Sequence, residues 1–427
     1  MRFSALDGLR IGVWGAGLET RSFARHVAAE LPRARIAVVV LERPEDAPEL
    51  TDGATVVGAA GAVDALRGCD ALVRSPGVSI HRPELRALRI PVVTPTGLWM
   101  AERGGRQVIG VTATKGKSTT SALIAHLLGA HLGGNIGAPA LDLPYTGGWA
   151  VIELSSYQIA DLEMGPEVVV ASNLYPEHLH WHGSFEAYAR EKLRLLALPG
   201  VRRLVLNATS APVMAAPRAT EDVWTFGVAP GWHVDADGAV VRGDVRLAKL
   251  PLIGRHNALN VCAALTAVEA VGAPVRVEAL DDFKGLDHRL QIVHEADGVT
   301  WVDDSISTEP EAAKSAIESF PDRPLVLIGG GFDRGQDYAA LGALLAARGA
   351  HVLGLPVTGA RLVAAARAAG AERAREVPDL PAAVAAARAA ATPGTVVLLS
   401  PAAPSFTTHR NFEARGDDFR DLARAAK

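Results

Sequence analysis

The stretch GVTATKGKSTT, Gly110 to Thr120, decides how the chain is read. It ends in Gly-Lys-Ser-Thr, the core of a phosphate-binding loop. The common form of that loop has a glycine five residues before its second glycine. Counted back from Gly116, that place is held by Val111, so the loop is of a different kind. QVIGVT, from Gln107, reads as a buried strand leading into it. STTSALIAHLLGAHL follows, with Leu123, Ile124, Leu127 and Leu128 at helical spacing. Strand, glycine loop and helix together form the context that a polyphosphate needs, because N–H groups at a helix N-terminus carry partial positive charge. Lys117 would reach the terminal phosphates, and Ser118 or Thr119 would ligate magnesium. The ordinary alternative is a strand-to-helix turn with a surface lysine, and it leaves the joint pattern unexplained.

The same alternation extends outward. RIGVWGAG reads as a strand entering a glycine turn, and IAVVVLE, ALVRSPG and PVVTP follow as short apolar runs with turn signals at their ends. Such βαβ alternation implies a parallel sheet with helices on its faces. AVIELSS and EVVVASN predict two more buried strands in a second unit. From about 200 to 252 the pattern predicts hairpins, as in WHVDADGAVVRGDVRLAKL, and RHNALNVCAALTAVEAVG then predicts a helix ended by glycine. From 286, PLVLIGGG, HVLGLPV and TVVLLSP predict strands separated by alanine-rich helices such as GARLVAAARAAG. The expectation is an α/β chain of three domains: a Rossmann-like domain over 1–95, a central P-loop ATPase-type domain over 96–285, and a Rossmann-like domain over 286–427.

Composition narrows the class of function. A chain of 427 residues with 49% hydrophobic residues is globular and long enough for two to four domains. Its formal charge of −4 provides no basic field for nucleic acid. Cys69 and Cys262 are its only cysteines and stand far apart, which excludes a disulfide framework and fits a cytoplasmic protein. The start shows no signal-peptide core, and no run of about eighteen apolar residues predicts a membrane span.

Other stretches carry chemistry of their own. Glu153 ends the apolar run of AVIELSS, where a carboxylate beside a phosphate loop suits magnesium; a cap or an ion pair is the alternative. HLHWH spaces His178, His180 and His182 alternately, so a strand there would place all three on one face and offer a zinc site, whereas a solvated loop would not. Lys192, in YAREKLRLL, reads from pattern alone as a solvated lysine. GRHNALN presents His256, Asn257 and Asn260, with helix capping as the ordinary explanation. GVWGAGLET is an imperfect dinucleotide fingerprint, with Glu42 as a candidate ribose carboxylate, and taken alone it fits NAD as readily as any other nucleotide.

VTATKGKST resembles the shortened ATP loop T-G-T-[NK]-G-K-S-T of the muramyl ligases, whose T-[NK]-G-K part the folylpolyglutamate synthases share, with Ala113 in place of that pattern's glycine. NIGAP, VIELSSYQ, NLYPEHLHWHG, YAREKLRLL, GRHNALNV, HRLQ, DDSIST and LLSPAAPSFTTHRNFEARG then follow in the order seen in muramyl ligases, along nearly the whole chain. The resemblance implies ATP and Mg²⁺ as cofactors, and an ATP loop made by Thr114, Lys115, Gly116, Lys117, Ser118 and Thr119. It implies magnesium ligation by Ser118, Glu153, His178 and a Lys192 carbamylated by CO₂, with Lys117, His178 and Lys192 as the catalytic set. His180 stands where the family has aspartate. Asn257 would meet the adenine, Arg289 the ATP phosphates and Asp304 the ribose, so that the third domain closes on the second. The first domain would hold UDP at Gly15, Gly17, Thr20, Ser75 and Gly77, and Asn135 would contact the muramoyl-linked diphosphate.

The resemblance is nearest to members that add glutamate to UDP-N-acetylmuramoyl-L-alanine, implying these two small-molecule partners, neither nucleic acid nor membrane, and action as a monomer. D-glutamate ligases carry DSKAT where this chain has DDSIST, so Ile306 replaces a lysine. Thr407 replaces an aspartate in PSFTT. TKGKST, SIST, GGFDRGQDY and SPAAPSF resemble instead a sister group that adds L-glutamate, with the D-glutamate reaction as the alternative. Arg334 is a candidate for a glutamate carboxylate, since arginine grips carboxylates in a fork. Ser405 and Phe412 match positions lining the amino-acid pocket. Rival readings are a nicotinamide-dependent oxidoreductase, which leaves Lys117, Glu153 and Lys192 unused, a folylpolyglutamate-type ligase, which normally has glycine at the place of Ser118, and an inactive UDP-sugar-binding protein.

Overall fold

The computed structural model describes residues 1–42, 53–145, 147–177, 179–250, 252 and 254–425, with backbone alone at 179 and 180. The chain divides into two compact units, one of residues 1–251 and 256–283 and the other of residues 252–255 and 284–427.

The first unit contains two parallel sheets. Strands β1 (Arg10–Trp14), β2 (Arg35–Leu41), β3 (Thr55–Gly58), β4 (Ala71–Arg74) and β5 (Val92–Val93) pair in the order β3-β2-β1-β4-β5. The chain steps one way from β1 to β3 and then returns to lay β4 on the other side of β1. The carboxyl ends of β1 and β4 thus meet at a switch point, where ligands of open α/β sheets bind. Apart from Arg74 at the end of β4, the buried runs along β1, β2 and β4 are apolar on both faces, as helices on both sides of a parallel sheet require.

The second sheet joins β6 (Val108–Thr112), β7 (His131–Gly134), β8 (Ala150–Glu153), β9 (Val168–Ala171), β10 (Arg203–Asn207) and β11 (Val223–Phe226) in the order β11-β10-β9-β6-β8-β7, all parallel. Central β6 has β8 on one side and β9 on the other, so the loops after these three strands emerge side by side. The expectation of hairpins from 200 is corrected here. RLVLN and VWTF are parallel strands of the main sheet, and the antiparallel pattern covers only β12 (His233–Val234), β13 (Val240–Arg242) and β14 (Val245–Leu247). The run Leu204–Leu206 of β10 is buried and apolar, as in a central strand, and outweighs the turn residues after it.

In the second unit, β15 (Gln291–Ala296), β16 (Val299–Asp303), β17 (Leu325–Gly329), β18 (His351–Gly354), β19 (Ala374–Glu376) and β20 (Val396–Leu399) form the order β15-β16-β20-β17-β18-β19. Only β15 runs antiparallel to its neighbour; the other pairings are parallel. The alanine-rich segments are helices, including Gly359–Ala368 and Leu380–Ala390, which bury Leu362, Val363 and Val384 against the sheet. No helix among the described residues is long and apolar enough to cross a membrane.

Candidate active site

The phosphate loop leaves β6 and enters the helix Lys117–Leu128 through Gly116, whose φ of 84° is left-handed. A Cβ on Gly116 would overlap the side-chain oxygen of Asn260, so both conformation and space demand glycine. Ala113 is absent from the non-glycine residues with positive φ, so alanine is accommodated there without strain. No side chain caps the helix at Gly116, which leaves its first N–H groups for an anion.

The segment after β9 braces this loop. Asn173 accepts from the Lys115 N–H at 2.8 Å and donates to the Lys115 carbonyl at 2.9 Å, while its own carbonyl accepts from Thr114 at 2.9 Å. The Thr114 hydroxyl bonds to the Tyr188 hydroxyl at 2.8 Å and accepts from the Tyr175 N–H at 2.9 Å. Thr114 is therefore committed to holding the loop. Lys115 pairs with Glu177 at 3.0 Å, and Lys117 donates to the Thr114 carbonyl at 3.1 Å, alongside the loop. Asn257 and Asn260 lie on the helix Arg255–Ala270. Asn260 donates to Asn257 at 3.0 Å and accepts from Thr120 at 3.3 Å, which attaches that helix to the loop's helix.

Two buried ionisable side chains complete the cluster. Glu153 ends β8 and is 1% exposed. One of its oxygens accepts from Asn135 at 2.7 Å, and the other has no hydrogen-bond partner among the described residues. An unpartnered buried carboxylate oxygen is costly unless something else binds it, and a magnesium ion is such a partner. The site thus fits the ion on its own chemistry. Asn135 is placed against Glu153, where its amide orients the carboxylate.

Lys192 is 3% exposed on the helix Phe185–Leu193. Its amine donates to the Ala113 carbonyl at 2.9 Å and to the Thr112 hydroxyl at 3.4 Å. Burial, with Lys117 nearby, depresses its proton affinity well below the ordinary lysine range, against the opposing pull of Glu177 and Glu153. The solvated lysine suggested by pattern alone is corrected: this one lies inside the phosphate-loop cluster.

His178 lies outside the described residues. The alternating-face reading of HLHWH is corrected, because Leu179–His182 is a helical turn. His182 is a packing residue. It bonds Glu191 at 2.7 Å through Nδ1 and Ser156 at 2.9 Å through Nε2, and burial lowers its proton affinity despite Glu191. Among the described residues no group of three or more His, Cys, Asp or Glu side chains is assembled as a metal cage.

At the switch point of the first sheet, Gly15, Gly17, Thr20 and Ser75 are brought together. Gly15 has φ 91°, and a Cβ there would lie 2.8 Å from that of Ser75; one on Gly17 would lie 2.9 Å from the Ser75 hydroxyl. Thr20 closes the turn by donating to the carbonyls of Gly15 at 2.8 Å and Gly17 at 3.1 Å. The helix Leu18–Glu30 starts here without a side-chain cap. Gly77 follows in the same loop as Ser75, with open space where its Cβ would be. Sequence reading missed Glu19, which is bonded by Thr96 at 2.8 Å and Gln158 at 2.7 Å, and Arg74. The acid directly before Thr20 in GLET was the available signal for Glu19.

In the second unit, Asp304 follows β16 and is buried. It accepts from Ser400 at 2.7 Å and from the Leu290 N–H at 3.2 Å, and burial raises its pKa to about 6 despite these donors and the charge of Arg289. Beside it, His288 bonds Asp303 at 2.7 Å, which raises the imidazole's proton affinity. The loops after β17 and β20 meet at this sheet's switch point, where the Phe332 N–H donates to the Pro404 carbonyl at 2.8 Å. A cavity of about 500 Å³ at the ends of β17 and β18 is lined by Ser405, Thr407 and Arg415 among others. Arg334 is not among its lining residues; its guanidinium lies 6.0 Å from the Phe406 ring centre. Phe412 opens the helix Phe412–Arg424, and its carbonyl accepts from Ser305 at 2.8 Å.

The sequence comparisons agree with this arrangement. Residues 111–268 match the Mur ligase middle domain, and residues 288–403 match the Mur ligase glutamate ligase domain. The chain belongs to the Mur ligase family. It is 42% identical over 449 residues to the UDP-N-acetylmuramoyl-L-alanine–L-glutamate ligase of Salinispora tropica, with 99% of each chain covered. The ligase of the same name from Xanthomonas euvesicatoria is 38% identical over 454 residues, covering 99% of this chain and 97% of the relative. The fold is shared with the UDP-N-acetylmuramate-alanine ligase of Thermotoga maritima, at TM-score 0.61, 18% identity and coverage of 98% of this chain and 100% of that one. It is also shared with the MurF ligase of Thermotoga maritima, solved in complex with ADP, at TM-score 0.58, 19% identity and coverage of 90% and 93%.

Proposed function

We propose that this Mur ligase uses ATP to join the alanine carboxylate of UDP-N-acetylmuramoyl-L-alanine to the amine of L-glutamate, in peptidoglycan precursor synthesis. The observation that carries the chemistry is the cluster at the ends of β6 and β8: an uncapped helix start, Lys117 beside it, the buried Lys192 amine and the unpartnered Glu153 oxygen. The names of the near full-length relatives support the choice of acceptor and amino acid.

In this reading the alanine carboxylate attacks the γ-phosphorus of ATP, giving an acyl phosphate and ADP. The glutamate amine then attacks the acyl carbon, the tetrahedral adduct expels phosphate, and the amine proton is lost, with His178 as a candidate acceptor. The helix start and Lys117 bind and orient the phosphates, which supplies rate through position and charge. Magnesium held by Glu153 and Ser118 would supply further charge neutralisation. Lys192, whose proton affinity burial lowers, more readily offers the neutral amine that adds CO₂; its carbamate, made with release of one proton, would be an anionic oxygen ligand at the same site, and His178 is a further proposed ligand. Asn257, Arg289 and Asp304 are proposed contacts to adenine, phosphates and ribose, and Arg334, Ser405 and Phe412 to glutamate. The switch-point loops of the first sheet are proposed to hold the UDP group. Domain limits near residues 95 and 285, a monomeric state and a cytoplasmic location belong to the same proposal.

The test is phosphate release by purified protein with ATP, Mg²⁺ and UDP-N-acetylmuramoyl-L-alanine, comparing the two glutamate enantiomers. Release with L-glutamate alone is expected. Release with D-glutamate alone would keep the ligation and overturn the stereochemistry, and release with neither would overturn the function.

A further inference from the structure

The loop after β4 encloses a guanidinium with no exposed surface. Arg74 is 0% exposed. Its Nε donates to Asp161 at 2.8 Å, and a second nitrogen reaches the same carboxylate oxygen. Nη1 donates to the carbonyls of Ser75 at 3.1 Å, Pro76 at 3.0 Å and Val78. Nη2 also approaches the Tyr157 carbonyl at 3.4 Å. One side chain therefore gathers three carbonyl oxygens of a four-residue loop and fastens that loop to the segment after β8.

The peptide bonds of this loop are trans; among the described residues the cis bond is at Ala229–Pro230. In a trans peptide the C=O and the following N–H point in opposite directions. Drawing the carbonyls of Pro76 and Val78 onto Arg74 turns the N–H groups of Gly77 and Ser79 away from the cation. Carbonyl oxygens repel a bound anion and N–H groups attract it. The same loop presses Ser75 against Gly15 and Gly17 at the uncapped start of the helix Leu18–Glu30.

We infer that Arg74 is a positioning residue for the nucleotide diphosphate, holding Ser75–Ser79 so that the loop offers the N–H groups of Gly77 and Ser79 rather than carbonyls to the ligand. The inference rests on the proposed UDP site of the first sheet. Stability alone gives little reason for this arginine, because a buried ion pair is commonly matched or bettered by apolar residues of similar volume. The planar fork is what the geometry uses, and lysine lacks it.

The experiment compares the wild type with Arg74→Lys and Arg74→Met, measuring KM for UDP-N-acetylmuramoyl-L-alanine, KM for ATP, kcat, and UDP binding by calorimetry. Arg74→Lys keeps a cation opposite Asp161 and guards against simple misfolding of the methionine variant. The expected result is an acceptor KM raised about tenfold or more in both variants, with kcat at saturation and ATP KM changed less than about threefold. An acceptor KM within about twofold of wild type, parallel changes in both KM values, or failure of both variants to fold would overturn the inference. Wild type that turns over but does not bind UDP would overturn the nucleotide site itself, which is a separate outcome.

Discussion

The amine of Lys192 lies 2.9 Å from the carbonyl oxygen of Ala113, the residue that stands where the loop pattern it resembles has glycine. The contact is made by the backbone, so alanine in place of glycine leaves it intact. It places a buried, proton-poor amine on the floor of the phosphate loop. Lys192→Met is expected to lower turnover by roughly two orders of magnitude or more, as removal of a transition-state charge group does. It should leave Tm unchanged or raised, because it removes a buried amine whose charged form burial disfavours. The sign follows from linkage. The folded lysine gives up its proton at lower pH than the unfolded one, whose pKa is about 10.4, so wild-type stability rises as pH approaches that value. Melting curves at pH 7 and 9 should show the wild type gaining on the variant; a variant less stable than wild type at both would refute this account.

Glu153 makes a different prediction. Glu153→Gln keeps the shape and the contact to Asn135 but weakens a cation ligand. Tm should shift by no more than a few degrees, while kcat falls by about 10²–10³-fold and the Mg²⁺ needed for half-maximal rate rises. Chelation with EDTA should abolish turnover in the wild type, and added Mg²⁺ should restore it. Retained activity in metal-free buffer would refute the assignment of Glu153 to the ion.

Gly116 tests the loop's backbone. Gly116→Ala must place a side chain at φ 84° and against Asn260. The left-handed conformation alone costs about 1–2 kcal/mol, before any overlap is relieved. ATP KM should rise and thermal stability fall together, whereas glycine at Ala113, which is not left-handed, should leave ATP KM nearly unchanged. Equal effects at the two positions would contradict the geometry described.

Much of this was readable beforehand, for identifiable reasons. The phosphate loop and its flanking strand and helix follow from local spacing, because glycine, apolar runs and helical periodicity are local signals. The parallel character of β10 and β11 was not legible, since strand direction depends on partners distant in sequence. The helical turn at Leu179–His182 was missed because alternating histidines also fit a strand. Lys192 shows the limit most clearly. Its helix has charged neighbours and looks solvated, and only the fold, in which Tyr188 and the loop after β6 close around it, makes it a buried amine. Arg74 left no signal at all: an arginine at the end of an apolar strand is ordinary until its three nitrogens are seen to meet backbone carbonyls and Asp161.

Asp304 provides a pH-resolved test of the second unit. Its carboxyl is raised from the ordinary 3.8 to about 6, first by burial, with Ser307, Ser400 and Arg289 opposing. The folded state therefore binds the proton more tightly than the unfolded chain. That stabilisation is complete below about pH 3.9, the unfolded value, and is lost as pH rises through about 6. The gap between 6 and 3.8 corresponds to about 3 kcal/mol of cost for the ionised, buried carboxylate at neutral pH. Asp304→Asn retains an acceptor for the Leu290 N–H but carries no charge, so it escapes this cost. The variant should gain stability relative to wild type as pH increases from 4 to 7, with most of the change complete near pH 6. His288, whose proton affinity Asp303 raises, is present in both proteins and cancels in the comparison. Denaturant melts of the two proteins at pH 4.5, 5.5, 6.5 and 7.5 measure the difference directly. A difference that stays constant with pH would mean that Asp304 is not raised, and that the ribose contact proposed for it involves an ordinary carboxylate.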